Sequence, residues 1–213
     1  MAEAAPVALV PTAPEEGSFE KAAAGAGQEC VFSVVIPVRN RRELLAETLA
    51  ALDGQDFDLP FEVVVVDNHS TDGSGDSARS STVAGRPVRV VVPERPGSAM
   101  EARMAGVAAS CAPFIAFTDS DCRPVPGWLT ALHRPLTMGA CLVNGPTRPA
   151  RPAHSFERSV SSGTEGLYPT CNLAVSRQAF VSAGGFDELG ITRFGFADSA
   201  ADQGLGFGVD TLA

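Results

Sequence analysis

The chain is short of basic charge: 16 Lys and Arg stand against 25 Asp and Glu in 213 residues, a formal net charge of -9. Neutralising a nucleic-acid backbone takes clustered cations, and these are scattered. A nucleic-acid partner is therefore excluded, while a single nucleotide, which needs only a metal and a pair of arginines, is not. The five cysteines, Cys30, Cys111, Cys122, Cys141 and Cys171, are odd in number and form no C-x-x-C. Neither a disulfide framework nor a zinc site is expected from them, and a reducing, cytoplasmic setting is. No apolar run reaches the roughly 18 residues of a membrane span, and the N-terminus has no basic stretch leading into an unbroken apolar core. Peripheral membrane association remains compatible with both absences. What is present, 45% hydrophobic and 19% charged residues, suits a globular domain with a real core.

Residues 1–29 are Ala, Gly, Pro and Glu without periodicity and are expected to form a disordered leader. Residues 30–213 read as one domain, a nucleotide-binding half over 30–125 and an acceptor half over 126–213. "CVFSVVIPV", Cys30 to Val38, is the first strand. Asn40, with Glu43 three residues on, approximates a capping box, and Leu44, Leu45, Thr48, Leu49 and Leu52 make one helical stripe. "FEVVVVD", Phe61 to Asp67, has the continuous β-branched composition of a central parallel strand. Val88 to Pro93 is a third strand and Ser98 to about Ser110 a helix, with Met100, Met104, Val107 and Cys111 inward and Glu101 and Arg103 facing elsewhere. Alternation of strand and helix up to Asp121 commits this half to a doubly wound, mostly parallel α/β sheet. Further on, Pro126 to Leu132 reads as a short helix, "CLVNG" as a strand and Arg148 to Gly166 as a long loop. Tyr168 to Ser176 alternates like an edge strand, and Arg177 to Ala183 is a helix closed by Gly184 and Gly185.

The chemistry gathers at strand ends. Phe114 to Thr118 is a short apolar run that stops at Asp119, Ser120 and Asp121. Carboxylates two apart on an extended chain point the same way with Cα atoms about 7 Å apart. Both can then face one hard divalent cation, although the plainer reading is that they start a turn. Asp67 to Asp72 likewise reads either as Asx turns and a helix cap or as a site where Asp67 and the Asn68 side chain bond a base or ribose. Arg103 is either a solvated arginine or a cation near a diphosphate. Gly73, Gly75 and Ala78 match G-x-G-x-x-A, but six polar residues separate Val66 from Gly73, so a dinucleotide fingerprint is rejected. His69, His133 and His154 read as surface residues and Trp128 as core.

"FSVVIPVRN", "VVVVDNHSTDGS", "GSAMEARMAGVAAS", "FIAFTDSDC" and "NLAVSRQAFVSAGGFDE" resemble, in order and spacing, the blocks of family-2 inverting glycosyltransferases of the GT-A fold. The resemblance covers about Val31 to Glu188. It implies that Pro37, Val38 and Arg39, with Asp67 and Asn68, hold the nucleoside of a nucleoside-diphosphate sugar donor. It implies too that Arg103 lies near the donor, that Asp119, Ser120 and Asp121 contact the ribose, and that Asp121, assisted by Asp119, binds Mg or Mn. The expected acceptor is a carbohydrate, lipid-linked or other hydroxyl. In such enzymes the general base sits in a segment resembling G-E-D-x-D-L. "FGVDTLA" matches that segment better than the surroundings of Asp198 or Asp202, which points to Asp210. The chain stops three residues later, so this form is expected to bind donor and turn over poorly.

Three departures stand out. The block that commonly reads A-R-N reads Ala102, Arg103, Met104; a frequent tyrosine is Arg39; a frequent aspartate is Asn68. Met104 and the unusual C-terminal stretch keep open a second reading, a non-catalytic nucleotide-sugar-binding homologue.

Overall fold

A computed structural model describes residues 30–147 and 170–186 together with the short strand Phe207–Gly208. The described elements, in chain order, begin with β1 (Phe32–Val38), α1 (Arg42–Asp53), β2 (Phe61–Asp67), α2 (Ser74–Arg79), β3 (Thr82–Val83), β4 (Arg86–Pro87) and β5 (Arg89–Val91). After these come α3 (Ala99–Ala109), β6 (Phe114–Phe117), α4 (Trp128–Thr137), β7 (Leu142–Asn144), β8 (Leu173–Ser176), α5 (Arg177–Ser182) and β9 (Phe207–Gly208). One sheet takes the order β5-β2-β1-β6-β8-β7-β9, and β3 and β4 form a separate hairpin. Parallel pairing joins β5, β2, β1 and β6, and also β7 and β9, while β8 runs antiparallel to both its neighbours.

Alternation along β1 explains the two cores. Phe32, Val34, Ile36 and Val38 point into a cluster with Leu45, Leu49 and Leu52 of α1 and Leu129, Leu132 and Leu136 of α4. Val35 points the other way, into a cluster with Ala102 and Val107 of α3 and Phe180 of α5. A period of two on a strand covered by helices on both faces gives this arrangement. Full burial of a side chain such as Phe32 contributes about 1.5–3 kcal/mol. On the α3 side the approach is very close: a Cβ on Gly106 would fall 2.4 Å from Val35 Cγ1 and 2.9 Å from Val66 Cγ2. Gly106 thus seats α3 against the sheet, and the residue one turn earlier, Arg103, is seated with it.

Several expectations are corrected. The first helix begins at Arg42, because Asn40 adopts φ 53° and its side chain accepts from Thr71 N–H at 2.7 Å instead of capping. The free amides of that helix start are met from thirty residues away: Arg42 N–H donates to Asp72 Oδ2 at 3.0 Å and Arg41 N–H to Ser74 Oγ at 3.1 Å. Leu44 is exposed, so the buried stripe is Leu45, Thr48, Leu49 and Leu52. The third strand shrinks to β5, preceded by a hairpin whose turn residues Ala84 and Gly85 have φ 49° and 72°, the geometry of a two-residue hairpin turn. Arg103 does not face away but lies on the buried face of α3. Helix α4 continues to Thr137 because its apolar spacing runs on to Leu136. The strand read as an edge is interior: β8 lies between β6 and β7, with Leu173, Ala174 and Val175 fully buried. His133 is half-buried, its ring against Phe32, Phe57 and Phe114.

Other expectations hold. β2 spans Phe61–Asp67, and α5 ends at Gly184 and Gly185 with φ 81° and 77°. All five cysteines are free thiols. No helix of the described residues is long and apolar enough to cross a membrane. The leader, the predicted loop at Arg148 to Gly166 with His154, and Asp198, Asp202 and Asp210 lie outside the described residues.

Candidate functional site

From β1 the chain moves in one direction across the sheet, to β2 and β5, and then returns to place β6 on the other side of β1. The carboxyl ends of β1 and β6 are therefore a topological switch point, where open α/β sheets bind ligands. A cavity of about 410 Å³ lies there. Its lining includes eight of the residues singled out in the sequence: Pro37, Val38 and Arg39 at the carboxyl end of β1, Asn68 after β2, Arg103 on α3, and Asp119, Ser120 and Asp121 after β6.

Asp67 is not part of that lining. Its buried carboxylate accepts from Ser70 N–H at 2.9 Å through Oδ1, and its Oδ2 lies where a Cβ on Gly75 would stand, 2.1 Å away. The structure thus uses Asp67 to fold the 68–75 turn, the plainer of the two readings. Asn68 is committed as well: its amide donates to Gly97 carbonyl at 2.6 Å and accepts from Gly97 N–H at 3.0 Å. This clamp fixes the segment leading into α3. It also forms the wall shared with a second cavity of about 440 Å³, lined by Pro93, Glu94, Arg95, Glu101 and Ala102 besides Asn68 and Gly97. That second cavity contains neither Asp119 nor Asp121, which both line the first.

Helix α3 enters at the cavity's rim. Ser98 Oγ accepts from Glu101 N–H at 3.1 Å and Glu101 Oε2 from Ser98 N–H at 2.6 Å, a complete capping box. The Ser98 N–H, and then the Ser98 hydroxyl, hold the Glu101 carboxyl below the usual carboxylate range. Arg103 follows, 5% exposed, its guanidinium bonded to Asp119 Oδ1. Its Nε is buried with no hydrogen-bond partner among the described residues. A buried donor left in that state costs about 1–3 kcal/mol, a cost that an oxygen-rich ligand would relieve.

Asp121 is handled differently. Its Oδ2 accepts from Arg41 at 2.6 Å, and both side chains are roughly half exposed, 47% and 44%. Arg41, Gly97 and Ala99 line the cavity and escaped the sequence reading. A signal for Arg41 was present: "RNRR" places three arginines directly after the first strand, facing an acidic strand end. Next to Asp121, the Cys122 thiol neighbours that of Cys171. That contact, with burial, pushes the Cys122 thiol up, and the same contact holds Cys171 down to about 7.

Asp119 and Asp121 offer hard oxygen donors, and among the described residues no group of three or more His, Cys, Asp and Glu gathers around a cation position. Mg and Mn suit such a donor set, since Mg characteristically keeps waters and takes the rest of its shell from phosphate oxygens. The residues present fit a divalent cation of that kind. Trp128 is core, as expected, its indole N–H donating to Asn172 Oδ1 at 2.8 Å. Met104 packs into the second core cluster, close to Gly185, so the departure at this position is a packing choice.

Residues 33–187 match the family described as Glycosyl transferase family 2. The chain is 35% identical over 98 residues to Glycosyltransferase AglE of Haloferax volcanii, covering 46% of this chain and 32% of that protein. It is 35% identical over 136 residues to Validoxylamine A glucosyltransferase of Streptomyces hygroscopicus subsp. jinggangensis, covering 59% of this chain and 32% of that protein. The matches thus span about a third of those relatives' length. Among solved structures, mannosyltransferase PcManGT from Pyrobaculum calidifontis, in complex with GDP-Man and Mn2+, superposes with a TM-score of 0.61 at 18% identity, covering 82% of this chain and 55% of that one. S. aureus TarS in complex with UDP gives 0.56 at 22%, covering 76% and 52%. Both likenesses are of the fold.

Proposed function

The chain belongs to glycosyl transferase family 2, and on that premise we propose that it transfers a sugar from a nucleoside-diphosphate donor to an acceptor hydroxyl, with inversion and with the help of Mg or Mn. The observation that carries the proposal is the convergence of Arg103, with its unpartnered Nε, and of Asp119 and Asp121 on one cavity at the switch point. Pro37, Val38 and Arg39 hold the nucleoside, Asp119 and Ser120 face its ribose, and Arg103 Nε–H donates to a ribose or phosphate oxygen. Asp121 would hold the cation, which supplies Lewis-acid stabilisation to the leaving diphosphate. Asp67 and Asn68 act one step back, shaping the two loops that receive the nucleoside.

Inversion follows from a single in-line displacement: the acceptor oxygen bonds to the anomeric carbon as the bond to the diphosphate breaks, and a carboxylate on the acceptor side takes the hydroxyl proton. Asp210 is assigned that proton. Residues 30–125 serve the donor and 126–213 the acceptor, which is a carbohydrate, a lipid-linked or another hydroxyl, in the cytoplasm or at its membrane face. The ligands of the structural neighbours, UDP and GDP-Man, make uridine and guanosine donors the first to try. Incubation with a panel of sugar nucleotides in Mn, read as release of free nucleoside diphosphate with and without candidate acceptors, tests the proposal. Release from one donor that EDTA abolishes is the expected result, and failure of every donor to bind or react would sink it.

A further inference from the structure

Two arginines meet the two carboxylates of the cavity, and burial separates their roles. Arg103 is 6% exposed at the side chain, and losing Asp119 would strand its charge out of water. Arg41 and Asp121 are 47% and 44% exposed, so water and salt screen their attraction and little is lost when they part. A divalent cation entering this cavity therefore has one carboxylate easily available to it, Asp121, and one resident competitor to displace, Arg41.

We infer that Arg41 is an exchangeable counter-ion that neutralises Asp121 before donor binds, cedes it to the divalent cation, and then pairs with the incoming diphosphate. The inference rests on the proposed transferase function and deepens it by naming a donor-positioning residue. Arg41 is built for such a swing. Its backbone is pinned, its N–H donating to Ser74 Oγ at 3.1 Å, so that only the side chain has to move. Its guanidinium already lines the cavity, together with Arg39, Arg103, Asp119 and Asp121. Once a cation occupies Asp121, Arg41 is left without its carboxylate at the wall of that cavity. A diphosphate presents oxygens that a planar guanidinium binds two at a time. Cation and diphosphate are then coupled through one side chain.

The test compares the full chain with Arg41→Met and Arg41→Lys. Mn is titrated alone and followed by the paramagnetic resonance of the free ion; a panel of nucleoside diphosphates is then titrated calorimetrically at saturating Mn. With the competitor gone, Arg41→Met should bind Mn alone about two- to fivefold more tightly, a gain that shrinks in high salt. The same variant should bind the diphosphate about tenfold more weakly, with Arg41→Lys between it and the parent. Opposite shifts from one substitution are the signature of exchange; a merely structural role would weaken both. If the parent binds a diphosphate and Arg41→Met leaves Mn affinity unchanged or lower, the exchange is overturned and the transferase reading stands. If the parent binds no nucleoside diphosphate in Mn, the transferase reading falls and the exchange falls with it.

Discussion

Asp119 and Asp121 are carried by the same turn after β6 and end in different physical worlds. Asp119 is tied to an arginine that the α3 face buries, and Asp121 to one that solvent surrounds. The difference comes from what lies behind each partner. Gly106 lets α3 sit hard against Val35 and Val66, which carries Arg103 beneath the surface, whereas Arg41 stands at the outer start of α1. One D-x-D motif thus combines a fixed position and a changeable one.

The strongest challenge to this contrast is removal of each side in turn. Arg103→Met should cost about 2 kcal/mol, a buried-pair value discounted because Asp119 is 35% exposed. Asp121→Asn should cost less than about 1 kcal/mol yet abolish Mn-dependent diphosphate binding. Urea denaturation beside calorimetry measures both quantities, and equal stability losses in the two variants would break the distinction. A next, indirect perturbation is Gly106→Ala. Overpacking against Val35 and Val66 should cost about 1–3 kcal/mol and loosen Arg103 while leaving Asp121 untouched. Donor affinity should then fall, with metal-alone affinity preserved; a fall in both would mean that the two positions are not independent.

These distinctions mark what was legible in the sequence. β1, β2 and β6 were visible because buried parallel strands are written as unbroken β-branched runs, and the carboxylates were visible because they end such a run. The charge of Arg103 argues for solvent, and only the missing side chain at Gly106 hints at how deeply the helix sits. The cap of α1 misleads for a different reason: Asn40 and Glu43 have the right spacing, but the groups that satisfy the helix start are Asp72 and Ser74, and no local pattern encodes a partner thirty residues away. The alternation of β8 suggests an edge when read alone, whereas β6 and β7 flank it in the sheet and its two faces pack into the two core clusters, Ala174 in one and Leu173 and Val175 in the other. Arg41 leaves a readable trace in "RNRR", two residues beyond Arg39.

The smallest expected effect lies at that cap. Hydrogen bonds, first from the Ser74 hydroxyl and then from Arg42 N–H, hold the Asp72 carboxyl below its ordinary range. A depressed folded-state value means that the stability contribution is complete above the unfolded value of about 3.9 and is lost as pH falls below it through the folded value. Asp72→Asn should therefore be slightly less stable than the parent near neutrality, with the gap closing below about pH 4. Thermal melts across that range check it, and a gap that persisted into acid would show that charge is not what Asp72 contributes.

The bonds from Asn40, Arg41 and Arg42 to the 70–74 turn also bear on the order in which the molecule assembles. Each spans 30 to 33 residues of chain, and closing such a loop from an unfolded chain is entropically expensive. Pairing of β1 with β2, which brings Val38 beside Asp67, closes nearly the same loop. After that pairing the rim of the cavity needs only a few more residues ordered. The rim of the cavity should accordingly snap into place late in folding, as one unit and with little further barrier, on a foundation laid by the two central strands.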